Sequence, residues 1–280
     1  MASDFLATDP PSTITPAAST AAVTFTSGGE TLLGVLHVPA GPGPHPVVVL
    51  LHGFPGTERN FDLAQALRRA GYAALVFHYR GSWGVGGCWS WRHVLDDAAS
   101  VVAAVREVTF SAAHWLDPLR LVVVGHSLGG FAALMTAATD PTITAVASVA
   151  GFDFGKAATA SRGDPAVRSA HVEAFDSELL PLRGTSGEAL VAEMEAAGQA
   201  WSLARLGPRL ADRPVLLIGT GRDPVTPAEV HHLPLVEAYQ AHVPRLEHRL
   251  FPTDHALSDH RVALARAIVD FLDRQLRTAP

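Results

Sequence analysis

The segment that most constrains this fold is LVVVGHSLGGFAALM, residues 121–135. Its first four residues form an apolar run typical of a strand buried on both faces. From Leu128 onward the residues are small and apolar, and they predict a helix. Only Gly125, His126 and Ser127 separate the two elements. A strand that passes so abruptly into a helix indicates an α/β sheet.

Ser127 lies at the centre of this turn, in a G-x-S-x-G pattern. Side chains at Gly125 and Gly129 would crowd the turn, which requires both positions to be small. Backbone strain pushes the Ser127 hydroxyl above the carboxyl edge of the sheet, where open parallel sheets bind ligands. The N-terminus of the following helix favours negative charge that develops there. The pattern therefore predicts that Ser127 is a nucleophile.

The rest of the chain alternates between strand-like and helix-like segments. Strands are predicted at Ala22–Ser27, Thr31–Pro39, Val47–Gly53, Ala73–Tyr79, Leu119–Gly125, Thr142–Gly151, Arg213–Asp223 and Leu246–Pro252. The first two form an antiparallel pair that turns at Gly28-Gly29. Helical spacing follows most of the others. We therefore predict an α/β fold, with a mostly parallel eight-stranded sheet and helices on both faces.

Two stretches depart from this alternation. Residues 1–20 are rich in Pro, Ser, Thr and Ala, and they predict a flexible N-terminal arm or a surface strap. Residues 152–212 contain short helical pieces without a clear strand, and they are too many for an ordinary connection. We interpret them as a small helical cap insertion. The α/β core then comprises residues 21–151 and 213–280.

Composition limits the class of function. Hydrophobic residues make up 48% of the 280 residues, and the net charge is −6. A sizeable core is therefore expected, and the basic field that would bind nucleic acid or an anionic membrane is missing. Cys88 is the only cysteine, and we find neither a signal peptide nor an apolar run of about 20 residues. We expect a cytoplasmic protein that acts on a small molecule; the oligomeric state is not readable.

A nucleophilic serine needs a base, and the base needs an acid that orients it. In this architecture the expected chain order is Ser, acid, His. Asp223, just past the apolar run Val215–Ile218, is the candidate acid, with Asp153 and Asp254 as competitors. His255, which follows the last strand, is the candidate base, and His260 is its competitor. The sequence predicts neither a metal site nor a cofactor.

The loop after the apolar run Val47–Leu51 begins HGFPG. Its Phe54 and the residue after the nucleophile, Leu128, are expected to supply the backbone N–H groups of an oxyanion hole. The peptide bond before Pro55 is a candidate for the cis form.

Aromatic residues surround this predicted site. The Trp-rich loop GSWGVGGCWSW, residues 81–91, also follows a strand at the carboxyl edge. We expect the substrate pocket to be lined by residues of this loop and of the start of the insertion: Trp83, Trp89, Trp91, Phe152 and Phe154.

The motifs HGFPG, GHSLGG, GTGRDPVTP and PTDHA occur in this order. Together they resemble the α/β-hydrolase fold family, over nearly all of residues 21–277, and the elbow GHSLGG is similar to those of esterases and lipases. The segment from GTERNF to GVGG, residues 56–87, also resembles bacterial hydrolases related to acyl-peptidase catalytic domains.

The resemblance implies a serine hydrolase that cleaves carboxylic esters through an acyl-enzyme. An amidase or peptidase and a carbon–carbon bond hydrolase would use the same three residues, and a non-catalytic binding protein would use the same scaffold. HGFP also occurs in dehalogenases and epoxide hydrolases of this fold, whose nucleophile is Asp. Ser127 at that position argues against their chemistry.

Overall fold

The computed structural model describes residues 4–276. Its eight strands are β1 Ser19–Ser27, β2 Glu30–Val38, β3 His45–Leu51, β4 Ala73–Phe77, β5 Leu116–His126, β6 Ala145–Val149, β7 Val215–Thr220 and β8 Leu246–Phe251. They form one sheet in the order β1-β2-β4-β3-β5-β6-β7-β8. The pairs β1–β2 and β2–β4 are antiparallel, and all others are parallel. This confirms the predicted fold class.

Helices cover both faces of the sheet. They are α1 Phe61–Arg69, α2 Trp91–Arg106, α3 Val108–Ala113, α4 Leu128–Thr139, α5 Phe154–Gly163, α6 Pro165–Asp176, α7 Gly187–Ala197, α8 Ala228–His231, α9 Leu233–Gln240 and α10 Arg261–Leu276. Two 3-10 helices follow α7, at Gly198–Trp201 and Leu203–Leu210.

Strand β3 explains why the sheet has two cores. Its residues from Val47 to Leu51 are all at most 2% exposed. Because side chains alternate along a strand, Val47, Val49 and Leu51 join the core under α2 and α4. Val48 and Leu50 join the core under α1 and α10. A continuous apolar run is what such a doubly covered strand requires.

The predicted hairpin turn is present. Gly28 and Gly29 have φ angles of 55° and 83°, and Ser27 pairs with Glu30. Two successive positive φ angles are those of a type I′ turn, which matches the twist of an antiparallel pair.

Some element boundaries differ from the sequence prediction. The short helix α3 was not predicted. Between β7 and β8 the chain forms two helices, α8 and α9, with Pro234 in the first turn of α9. Proline cannot donate a backbone hydrogen bond but fits the first turn, so a new helix begins there.

The segment predicted as an arm is a strap where the structure describes it. Phe5 and Leu6 pack against the core under α1 and α10, and the Arg69 side chain donates to the Phe5 carbonyl oxygen at 2.7 Å. Its last two residues, Ser19 and Thr20, already belong to β1. Partial burial of the Phe5 and Leu6 side chains is what holds this strap against the surface. Residues 1–3 and 277–280 of the predicted segments lie outside the described residues.

The chain between β6 and β7 contains α5, α6, α7 and the two 3-10 helices. It is joined to the Trp-rich loop by backbone hydrogen bonds, among them Trp89 N–H to Arg183 O and Arg183 N–H to Gly81 O, both 2.8 Å. The Trp91 indole N–H also donates to Leu190 O. Helix α6 has no fully buried residue. These contacts hold the segment over the carboxyl ends of the strands.

Candidate active site

Ser127 occupies the turn between β5 and α4 with a φ angle of 57°. A Cβ atom at Gly125 would lie 1.9 Å from the Gly129 carbonyl oxygen. One at Gly129 would lie 1.9 Å from the Leu51 carbonyl oxygen. Both contacts are with backbone, which cannot move aside. The two glycines are therefore required by space, as the motif predicted, and the Ser127 N–H donates to the Val149 carbonyl at 2.8 Å.

His255 and Asp223 are hydrogen-bonded to each other. Asp223 lies in the loop after β7 and His255 in the loop after β8, and Nδ1 of His255 is 2.6 Å from Oδ2 of Asp223. Because a carboxylate only accepts, the proton lies on Nδ1. This leaves Nε2 of the neutral imidazole as an acceptor, which is the form a general base needs.

The Asp223 carboxylate is fully buried but well supplied with donors. It accepts the backbone N–H groups of Val225 and Thr226 and the hydroxyls of Thr220 and Thr226. Burial opposes the charge, but the hydrogen bonds from His255 and these hydroxyls outweigh it and hold the pKa of Asp223 well below its usual range. The charged carboxylate therefore fixes the imidazole orientation at neutral pH.

His126 supports His255 from behind. Its Nε2 lies 2.7 Å from the His255 carbonyl oxygen. Burial, together with the nearby His255, lowers the pKa of His126 to about 3, so its ring is neutral. The residue before Ser127 thus positions the backbone of His255.

The competing residues are engaged elsewhere. The Asp153 carboxylate accepts the N–H groups of Lys156 and Leu203 and caps α5. Asp254 accepts the Ser258 N–H, and His260 lies 2.8 Å from Asp259. Asp153, Asp254 and His260 do not line the cavity over Ser127.

The backbone N–H groups of Phe54 and Leu128 have no hydrogen-bond partner within residues 4–276. Both residues line the cavity with Ser127. A Cβ atom at Gly53 would lie 3.1 Å from the Ser127 Cβ, so this loop passes close beside the serine. The Phe54–Pro55 peptide bond is cis. Two free donors thus border the cavity from two loops.

The cavity over Ser127 measures about 370 Å³. Five aromatic side chains line it: Phe54, Trp91, Phe152, Phe154 and Phe175. Neighbouring rings pack at centroid distances of 4.8–5.7 Å, mostly edge to face. His255 and Val225 form part of the wall as well. The space suits an apolar group of moderate size.

Of the aromatic residues expected around the substrate, Trp91, Phe152 and Phe154 line this cavity, and Trp83 and Trp89 do not. Trp89 is only 2% exposed and packs edge to face on Tyr79 beneath the cavity. The Trp83 indole N–H donates to the Pro55 carbonyl at 2.8 Å, which turns the ring toward a neighbouring groove. These two side chains therefore lie outside the cavity, because their contacts with Pro55 and Tyr79 direct them elsewhere.

Sequence reasoning missed several residues of the site. Thr226 had a readable signal, since a hydroxyl three residues after an aspartate can reach back to it. Phe175 and Glu178, at the end of α6 and beyond it, had none. Their place depends on how residues 152–212 fold over the sheet.

Within residues 4–276, every helix is too short or too polar to cross a membrane. No three His, Cys, Asp or Glu side chains of this part of the chain converge as metal ligands would.

Residues 48–267 match the model of the alpha/beta hydrolase family. Over 121 residues the chain is 31% identical to 2,6-dihydropseudooxynicotine hydrolase of Paenarthrobacter nicotinovorans, covering 42% of this chain and 31% of that protein. Over 139 residues it is 33% identical to the quorum-quenching protein AidA of Acinetobacter baumannii, covering 48% and 44%. Each match thus spans less than half of the curated relative.

Solved structures share the fold over almost the whole chain. The Pyrococcus furiosus esterase PF2001 has a TM-score of 0.67 at 16% identity, covering 92% of each chain. Est1E from Butyrivibrio proteoclasticus has a TM-score of 0.68 at 18% identity, covering 92% of this chain and 99% of that one. At these identities the likeness establishes the fold.

Proposed function

Because the chain belongs to the alpha/beta hydrolase family, we propose that it is a serine hydrolase that cleaves carboxylic esters through an acyl-enzyme. One observation carries the proposal. Ser127 and His255 line one aromatic cavity, and His255 is hydrogen-bonded to an ionised Asp223. Nucleophile, base and acid come from the loops after β5, β8 and β7, as the carboxyl edge of a parallel sheet allows.

In the first step, Nε2 of His255 removes the Ser127 proton as Oγ attacks the ester carbonyl. The carbonyl oxygen becomes an oxyanion, which the unpaired N–H groups of Phe54 and Leu128 stabilise. One such donor is worth about 3–4 kcal/mol in the transition state. The buried Asp223 carboxylate stabilises the imidazolium that forms.

In the second step, the imidazolium donates its proton to the departing alkoxide, and the alcohol leaves. Water then attacks the acyl-Ser127 carbonyl while Nε2 takes a proton from it. The tetrahedral intermediate collapses, His255 returns the proton to Ser127, and the acid is released. The same N–H groups serve both intermediates.

The preference for esters rests on the elbow and on the cavity wall. GHSLGG is similar to the elbows of esterases and lipases, and the ring edges and faces of Phe152, Phe154 and Trp91 offer an acyl group apolar contact. Burial of each methylene there contributes about 0.8 kcal/mol. Acyl groups of medium length or with one aromatic ring match this volume.

The test is hydrolysis of p-nitrophenyl esters of increasing acyl length, with matched p-nitroanilides. We expect ester hydrolysis by the wild type and by the surface control Ser12→Ala, and a loss of about 10⁴-fold or more in Ser127→Ala. A fluorophosphonate should label Ser127. Equal inactivity of wild type and Ser127→Ala, with no label at Ser127, would refute the proposal. Faster cleavage of anilides than of esters would point to an amidase.

A further inference from the structure

Glu178 stands where two spaces meet. Two residues beyond the end of α6, it lines the cavity over Ser127 and also an adjoining groove of about 550 Å³. Pro55, Thr57 and Ser177 line both spaces as well. Trp83 and Arg183 are among the other residues that line the groove. A substrate bound at Ser127 that extends into the groove passes Glu178.

The Glu178 carboxylate is free. Within residues 4–276 it forms no hydrogen bond and no ion pair. Neighbouring acids are used by the fold: Asp176 accepts the Gly187 N–H at 2.6 Å, and Glu193 accepts the N–H groups of Trp91 and Arg92. The fold therefore gives Glu178 no structural task that would account for a carboxylate at this place.

The surroundings of Glu178 suit a positive charge. Among the described residues that line the cavity, none is a lysine or arginine, and Glu178 is the sole carboxylate. The remaining wall is largely aromatic, and ring faces attract organic cations. Arg183 lines the groove but not the cavity, so the positive charge that would repel a cation lies on the groove side. Charge and shape thus favour a cation beside Glu178.

We propose that Glu178 is a specificity residue that binds a cationic group, such as a quaternary or protonated amine, on the substrate. The inference rests on the proposed ester hydrolysis and names its substrate class. Because Glu178 is exposed, its ion pair with the substrate is worth about as much as a surface pair. This corresponds to a three- to fivefold effect on kcat/KM, which high salt reduces.

Two pairs of esters test this, each pair differing only in a quaternary nitrogen that replaces a carbon. One pair is a choline ester and the 3,3-dimethylbutyl ester of the same acid. The other is a trimethylglycine ester and the 3,3-dimethylbutanoate ester of the same alcohol. The pairs place the charge on either side of the ester bond. The quantity measured is the ratio of kcat/KM values, cationic over neutral.

For at least one pair, we expect the ratio to fall three- to fivefold in Glu178→Gln, because the neutral ester of each pair has no charge that the carboxylate could attract. Glu173→Gln is the matched control, since it removes the same charge from α6 at a position that lines neither space. The role of Glu178 would be refuted if the ratios of both pairs were unchanged in Glu178→Gln, or if Glu173→Gln changed them equally. Either result would leave the proposed ester hydrolysis standing. Inactivity of the wild type on all four esters and on the p-nitrophenyl esters would instead refute the proposed function, and this inference with it.

Discussion

The elbow around Ser127 and the wall formed by α6 are two sides of one cavity, and they are built in opposite ways. In the elbow, the glycines at 125 and 129 touch backbone, and nearly every residue of α4 is buried. Helix α6 has no fully buried residue. Elements whose contacts are few and exposed open at low free energy and tolerate substitution. The proposed chemistry is thus placed on the rigid side, and the proposed substrate preference on the adaptable side.

The largest loss of activity is expected when Asp223, the acid on the rigid side, is altered. Asp223→Asn should lower kcat about 10⁴-fold, because an amide does not hold the imidazole in the tautomer with the proton on Nδ1. The matched control is Asp254→Asn, next to His255 in the chain but bonded to Ser258. Ester kinetics for both variants check this. Equal losses in the two variants would remove Asp223 from the proposed mechanism.

The next effect tests the packing of the elbow itself. Gly129→Ala should lower the free energy of unfolding by more than about 3 kcal/mol, because the new methyl group overlaps the Leu51 carbonyl. Gly163→Ala is the control, since nothing lies within 4 Å of a Cβ there. Urea unfolding measures both. A stable, active Gly129→Ala protein would show that the elbow is less constrained than its geometry indicates.

Low pH should lower the free energy of unfolding, because two histidines on the rigid side are buried. Burial lowers the pKa of both His52 and His126 to about 3, below the 6.5 of an unfolded histidine. As the pH falls below 6.5, the unfolded chain binds protons that the folded chain does not. Stability should therefore fall, by up to about 1.4 kcal/mol per pH unit for each histidine. Unfolding free energies that are flat between pH 7 and pH 5 would contradict this.

The smallest effect on stability is expected on the α6 side. Phe175→Ala should change the free energy of unfolding by less than about 1 kcal/mol, because the ring is only partly buried. It should raise KM several-fold for esters with an aromatic acyl group. The reason is that the contacts of the Phe175 ring with the rings of Phe54 and Trp91 are lost from this wall of the cavity. Acetate esters are the control substrate, since a short acyl group does not reach this wall. A loss of stability like that of Gly129→Ala would erase the contrast between the two sides.

Features that depend on neighbours in sequence were predictable. The turn at Gly28-Gly29, the apolar run of β3 and the glycines beside Ser127 follow from local sterics and periodicity. Asp223 and His255 were found by the order of strands, since the carboxyl ends of parallel strands meet at one edge. That Trp83 and Trp89 lie outside the cavity over Ser127 was not predictable, because they belong to a loop whose side chains are directed by contacts with Pro55 and Tyr79.

The sequence by itself determined the sheet, the elbow and the residues proposed for the chemistry, because period-2 burial and a strand-to-helix turn leave few alternatives. Only the tertiary structure decided that Phe175 and Glu178 face Ser127. The segment that carries them is built of short helices, and its position over the sheet is set by long-range contacts such as Trp91 to Leu190. The periodicity of the sequence carries no information about such long-range contacts. The side of the cavity that we propose to select the substrate could therefore be identified only from the tertiary structure.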